Sequence, residues 1–173
     1  VGGQAFWRQK VTLHIAQRNP TEARVAFERS RRVLAPKGVG IAGLALSDWL
    51  EACIEQLEGN HTGARSRLET IISKISTSPD RNMLLQWEAK LQEAFGVSLA
   101  ALGQPAEAQR SLEAALQINK AIFDPKASIS VGRVALRLAG LHKAAGRAAV
   151  AKAYQAQADA IRRTHPLFEQ WVF

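Results

Sequence analysis

At 173 residues the chain fits one domain, and its 23 Lys and Arg against 15 Asp and Glu leave a formal charge of +8, which favours acidic partners, whether peptide, nucleic acid or anionic surface. No run of eighteen apolar residues and no basic-then-apolar leader stands out, which excludes a membrane span and a signal peptide as readings of these residues. A single cysteine, Cys53, excludes an internal disulfide framework and a cysteine-based zinc site, and makes the cytoplasm the expected location.

Taken in chain order, Val1-Gly2-Gly3 reads as a linker or scar, and Trp7 and Val11 lie on one face of a helix over about residues 4–18. Asn19 before Pro20, with Glu22 three residues on, is a capping-box-like start for a second helix that Pro36 stops near about residue 35. Leu46, Leu50, Cys53 and Leu57 share a face of a third helix, about 40–58, so Cys53 reads as a small core residue. A fourth helix is expected over about 61–76, and Leu84, Trp87, Leu91, Phe95, Leu99 and Leu102 mark a fifth over about 80–102. A sixth follows at about 105–121, a seventh at about 125–145 carries Ala127, Val131, Val134, Leu138, Leu141 and Ala145, and the last spans about 147–164 before Pro166. Proline at the first helical position lacks an N–H that would be unpaired there anyway, so Pro20, Pro79, Pro105 and Pro125 all read as helix starts. Strand-length alternation is absent, so the fold class is all-α, with short turns making the helices of each pair antiparallel.

One short pattern returns four times: Thr21-Glu22-Ala23-Arg24, Thr62-Gly63-Ala64-Arg65, Ala106-Glu107-Ala108-Gln109 and Ala149-Val150-Ala151-Lys152. Its alanines are 41, 44 and 43 residues apart, and four residues after each comes Phe27, Leu68, Leu112 or Gln155. A period of this length predicts an α-solenoid of four helix pairs, over about 4–36, 40–77, 80–121 and 125–164, within a repeat domain at about 4–166. Such arrays serve as binding surfaces. The apolar tail at 167–173, with Leu167, Phe168, Trp171, Val172 and Phe173, either caps the last pair or contacts a second copy.

In residue type and spacing, Phe95-Gly96, Leu99, Gly103, Ala108, Leu112 and Ala115 resemble the tetratricopeptide repeat (TPR). The run from Ala115 through Asp124-Pro125 to Arg147 is similar to the roughly 42-residue variant of kinesin light chains and bacterial multi-repeat proteins. The likeness covers residues 89–166 well and 4–77 more loosely, since Arg18-Asn19 replaces the first turn glycine, Glu55 takes an apolar slot and Gln155 stands where a large apolar residue is usual. A second resemblance is to the sensor arms of bacterial transcription activators of the maltose-regulator type. The first resemblance implies a right-handed superhelix whose first helices line a concave groove. Groove-facing slots then fall on Ala5, Arg8, Thr12, Lys90, Glu93, Arg133, Arg137 and Lys143.

Those slots are mostly basic, and guanidinium or ammonium groups hold carboxylates by charge-assisted hydrogen bonds, so an acidic peptide segment is the expected ligand. Related grooves grip peptide backbone with asparagines, whereas these slots hold Arg8, Gln9, Leu136 and Arg137, leaving a plain solvated basic surface as the other reading. The arginines of the second helices, Arg24, Arg29, Arg31, Arg32, Arg65 and Arg67, read as a solvated outer face, with Glu28 answering part of the charge; a nucleic-acid patch lacks interleaved aromatics. His14 and His142 occupy a helix-packing slot, while His61 and His165 lie in turns, without the neighbours that a metal pair needs. Gly38, Gly40 and Gly43 are spaced as a phosphate loop but no strand precedes them. No enzyme activity, metal or cofactor is therefore expected. The expected function is a protein–protein interaction module; the alternative is a ligand-sensing or self-assembling regulatory arm of a larger bacterial activator or kinase.

Overall fold

The computed structural model describes residues 3–33, 40–165 and 168, and among these it is all-helical, with no strand. Eight α-helices follow one another: α1 (Gln4–Ala16), α2 (Pro20–Val33), α3 (Ile41–Leu57), α4 (His61–Ser76), α5 (Leu85–Ala101), α6 (Pro105–Ile122), α7 (Ile129–Ala144) and α8 (Ala148–Thr164), with a 3₁₀ turn at Arg81–Leu84 ahead of α5. Each packs on its neighbours in the chain, and α3 also rests on α1 and α5. None is long and apolar enough to cross a membrane. Pro36, Gly38, Pro166, Leu167, Trp171, Val172 and Phe173 lie outside the described residues.

Four of the connections are built alike. Three residues join α1 to α2, α3 to α4, α5 to α6 and α7 to α8. The middle residue is left-handed in every case: Arg18 (φ +54°), Gly59 (+80°), Gly103 (+74°) and Gly146 (+71°). The third residue's N–H reaches back to the carbonyl of His14, Glu55, Leu99 or His142, and its own carbonyl accepts from the N–H of Ala23, Ala64, Ala108 or Ala151. One turn thus ends a helix in a Schellman bond and opens the next. Glycine suits the middle position because it carries no Cβ to meet the following carbonyl. The recurring alanine follows directly: it sits one turn into the second helix, nearly or fully buried in all four places, where the two helices approach.

Side-chain caps follow the sequence in part. Asn19 Oδ1 accepts from Glu22 N at 3.2 Å and Asn60 Oδ1 from Gly63 N at 3.0 Å. Pro20 and Pro105 open α2 and α6 as expected. Pro79 and Pro125 do not open helices. The side chains of Ser78 and Asp124 accept instead from Asp80 N and Lys126 N, closing local turns, so α7 starts only at Ile129 and α5 is reached through the 3₁₀ turn.

The core forms three clusters in chain order. Val11, Ala23, Phe27, Leu50 and Ile54 join α1, α2 and α3. Leu68, Ile71, Ile75, Leu84 and Leu91 join α3, α4 and α5. Leu112, Val131, Leu138, Ile161 and Phe168 join the last three helices to the start of the tail. Gly132 lets Phe168 seat there, since a Cβ on Gly132 would lie 2.6 Å from Phe168 Cε2.

Between helices the arginines do more than face solvent. Arg24 does not pair with Glu28; it reaches α3, at 2.6 Å from Glu58 and 3.4 Å from Glu51. From the other side Arg67 contacts Glu51 at 3.0 Å, Glu55 at 3.1 Å and Asp48 at 3.5 Å. Asp48, Glu51, Glu55 and Glu58 recur at helical spacing, so one acidic face of α3 is held between basic residues of α2 and α4. This explains a carboxylate at position 55, where an apolar residue was expected.

His142 is 4% exposed and stacks on Tyr154, with ring centroids 5.5 Å apart, and neither ring nitrogen has a hydrogen-bond partner. Desolvation, helped by the Arg147 charge and opposed by Glu113, lowers its pKa below the ordinary 6.5. The unfolded chain therefore takes up this proton more readily, and the stability that a neutral His142 contributes above pH 6.5 is lost as pH falls below it. A His142→Phe variant is expected to lose less melting temperature than wild type between pH 7.5 and pH 5.

Candidate functional site

Helices α3, α5 and α7 place side chains around one small recess of about 30 Å³: Trp49, Cys53 and Gln56 from α3, Lys90 and Glu93 from α5, Arg133 and Arg137 from α7. The equivalent turns account for this. Lys90 and Arg133 each stand thirteen residues before their turn glycine, Gly103 and Gly146, while Trp49 and Glu93 stand ten before Gly59 and Gly103. Equal offsets bring these residues to the same face of successive helices. Gln56 Nε2 ties α3 to α5 by donating to Ala94 O at 2.7 Å and to Ser98 Oγ at 2.8 Å.

Glu93 joins α5 to α7. Arg133 Nε and Nη2 each donate to its carboxylate at 2.7 Å, in a two-pronged pair, and Arg137 Nε adds a third bond at 2.8 Å. Glu93 is 4% exposed. Burial pushes its carboxyl pKa up, but the two guanidinium charges and their hydrogen bonds outweigh that and hold it at about 2. Arg133 and Arg137, expected at groove-facing slots beside Glu93, are thus also built into the joint between helices.

Lys90 differs from them. Its Nζ lies 4.8 Å from the ring centroid of Trp49 and 5.3 Å from that of Trp87. Desolvation, then the nearby Arg133 charge, lowers its pKa from the ordinary lysine value. The ammonium is thus costly where it stands, and the two indole faces offset part of that cost. The Cys53 thiol beside it is pushed up to about 12 by burial, so it stays protonated and is a poor nucleophile.

Beside this recess lies a second pocket of about 180 Å³, whose lining shares Cys53, Gln56 and Arg137 and adds Arg18 and His61. The other candidate binding residues lie elsewhere. Arg8 and Thr12 line an apolar groove of about 670 Å³ between α1 and α3, with Leu13, Leu46 and Leu50, and Thr12 Oγ1 donates back to Arg8 O. Lys143 borders a third recess with Gly140 and Gln155. Of the groove-facing candidates, then, Lys90, Glu93, Arg133 and Arg137 converge, while Arg8, Thr12 and Lys143 do not join them. Trp49, Gln56 and Arg18 had not been singled out for this face, although their offsets from the turns were present in the sequence. Among the described residues no three His, Cys, Asp or Glu side chains converge as a metal site requires. Compared with family models, curated proteins and solved structures, the chain finds no match.

Proposed function

We propose that the chain is a non-catalytic protein–protein or peptide interaction module, a TPR-like right-handed array of four antiparallel helix pairs whose basic groove takes an acidic segment of a partner. Lys90 carries this reading. At the half-buried Lys90, desolvation and the Arg133 charge outweigh the nearby Glu93 carboxylate, so a further carboxylate supplied by a partner stabilises the ammonium. The excess of basic residues adds long-range attraction of the same sign. The array is supported by four equivalent turns and by a core strung out in chain order.

One observation favours a second reading, a ligand-sensing regulatory arm: the groove at Arg8, Thr12 and Leu46 is roomy and mainly apolar, as small-molecule sites are. The first reading is tested by titrating N-acetylated hexaglutamate into the protein at low and high salt. Affinity is expected to fall as salt rises. Lys90→Met, which keeps the side-chain length and removes the charge, is expected to bind about tenfold more weakly, equivalent to about 1.4 kcal/mol, while melting at or above the wild-type temperature. Wild-type affinity in that variant would remove the reading.

A further inference from the structure

Arg18 is the one non-glycine residue at a left-handed φ among the described residues, and it occupies the turn position that Gly59, Gly103 and Gly146 fill in the three equivalent turns. An L side chain is strained in that conformation, and such strain persists where the side chain has a use. The fold makes none of it: Arg18 is exposed, and its guanidinium has no hydrogen bond or ion pair among the described residues. It does line the pocket beside the recess at Lys90 and Glu93. Around the same pocket stand Gln56, His61, whose Nδ1 is buried without a hydrogen-bond partner, and Arg137, held by Glu93. At about 180 Å³ the pocket has room for one acidic side chain or a chain terminus and not for a folded element.

We infer that Arg18 and His61 form a subsite for a single carboxylate of the bound segment, so that an acidic ligand is gripped at two points, one at Lys90 and one at Arg18. This rests on the acid-binding groove proposed above and adds an anchor that sets the ligand's position along it. A planar guanidinium suits the task because it can present two parallel N–H donors to one carboxylate.

The test uses Arg18→Gly, because glycine is what the three equivalent turns already contain. Titrated with N-acetylated hexaglutamate, this variant is expected to bind about tenfold more weakly than wild type and to melt at or above the wild-type temperature. Arg18→Asn, which tolerates the left-handed turn without a guanidinium, is expected to behave alike. Wild-type affinity in both variants, with Lys90→Met weakened, would overturn the subsite and leave the acid-binding groove standing. No binding of hexaglutamate to wild type would overturn both. Weaker binding accompanied by a lower melting temperature in both variants would assign Arg18 to the turn and overturn the inference as well.

Discussion

Replacing Glu93 by Gln is expected to lower folding stability by about 3–5 kcal/mol, the range found when one partner of a buried ion pair is removed. The side chains of Arg133 and Glu93 are 13% and 6% exposed, so water cannot take over the lost charge. An amide keeps the shape and can accept a hydrogen bond, but leaves Arg133 without the opposite charge it was buried against. Acid titration separates this effect from a packing change. Glu93 titrates near 4.5 when unperturbed and at about 2 in the folded chain, so its contribution is complete above pH 4.5 and is lost as pH falls toward 2. The variant is expected to lack this component, giving a flatter stability profile across that window in urea melts. A variant as stable as wild type at pH 7 would show that the joint between α5 and α7 does not depend on the pair.

Phe168→Ala is expected to cost about 3–5 kcal/mol, as large-to-alanine changes do in a core that cannot collapse. Phe168 is 1% exposed, its ring packs against Ile161 and the space left open by Gly132, and the Arg162 guanidinium lies 5.6 Å from the ring centroid. A shift of the urea midpoint with an unchanged slope would identify a loss of stability without a change in the surface exposed on unfolding. A midpoint equal to wild type would mean that this ring does not secure α7 and α8. The turn glycines and Gly132 thus have different reasons: the former meet a backbone conformation, the latter makes room for the Phe168 ring.

The sequence announced its helices because their signals are local. Asn19-Pro20 and Gln104-Pro105 mark starts within a few residues, and the apolar spacing from Leu84 to Leu102 marks a face, each readable without knowing the partner. Pro79 and Pro125 misled for a local reason too, since Ser78 and Asp124 can close a turn as readily as cap a helix. The site was less legible. Glu93 bonds residues 40 and 44 positions away, a pairing set by how α5 lies on α7 and by nothing near Glu93 in the chain. Likewise Arg24 has Glu28 four residues on, yet reaches across to α3, where two carboxylates present better geometry than one exposed neighbour. What the sequence did contain was the equal offset of Lys90 and Arg133, and of Trp49 and Glu93, from their turns, which becomes informative once the turns are known to be equivalent.

The joining of each helix to its neighbours in the chain bears on how the protein assembles. Most contacts between helices join helices adjacent in the chain, so each closes a short stretch of sequence and little chain entropy is surrendered before the first of them form. Opening depends on the same contacts: α8 leans on α7 and the start of the tail, whereas α3 is gripped on several sides, so amide exchange is expected to be fastest at the two ends of the chain and slowest around Leu50 and Ile54.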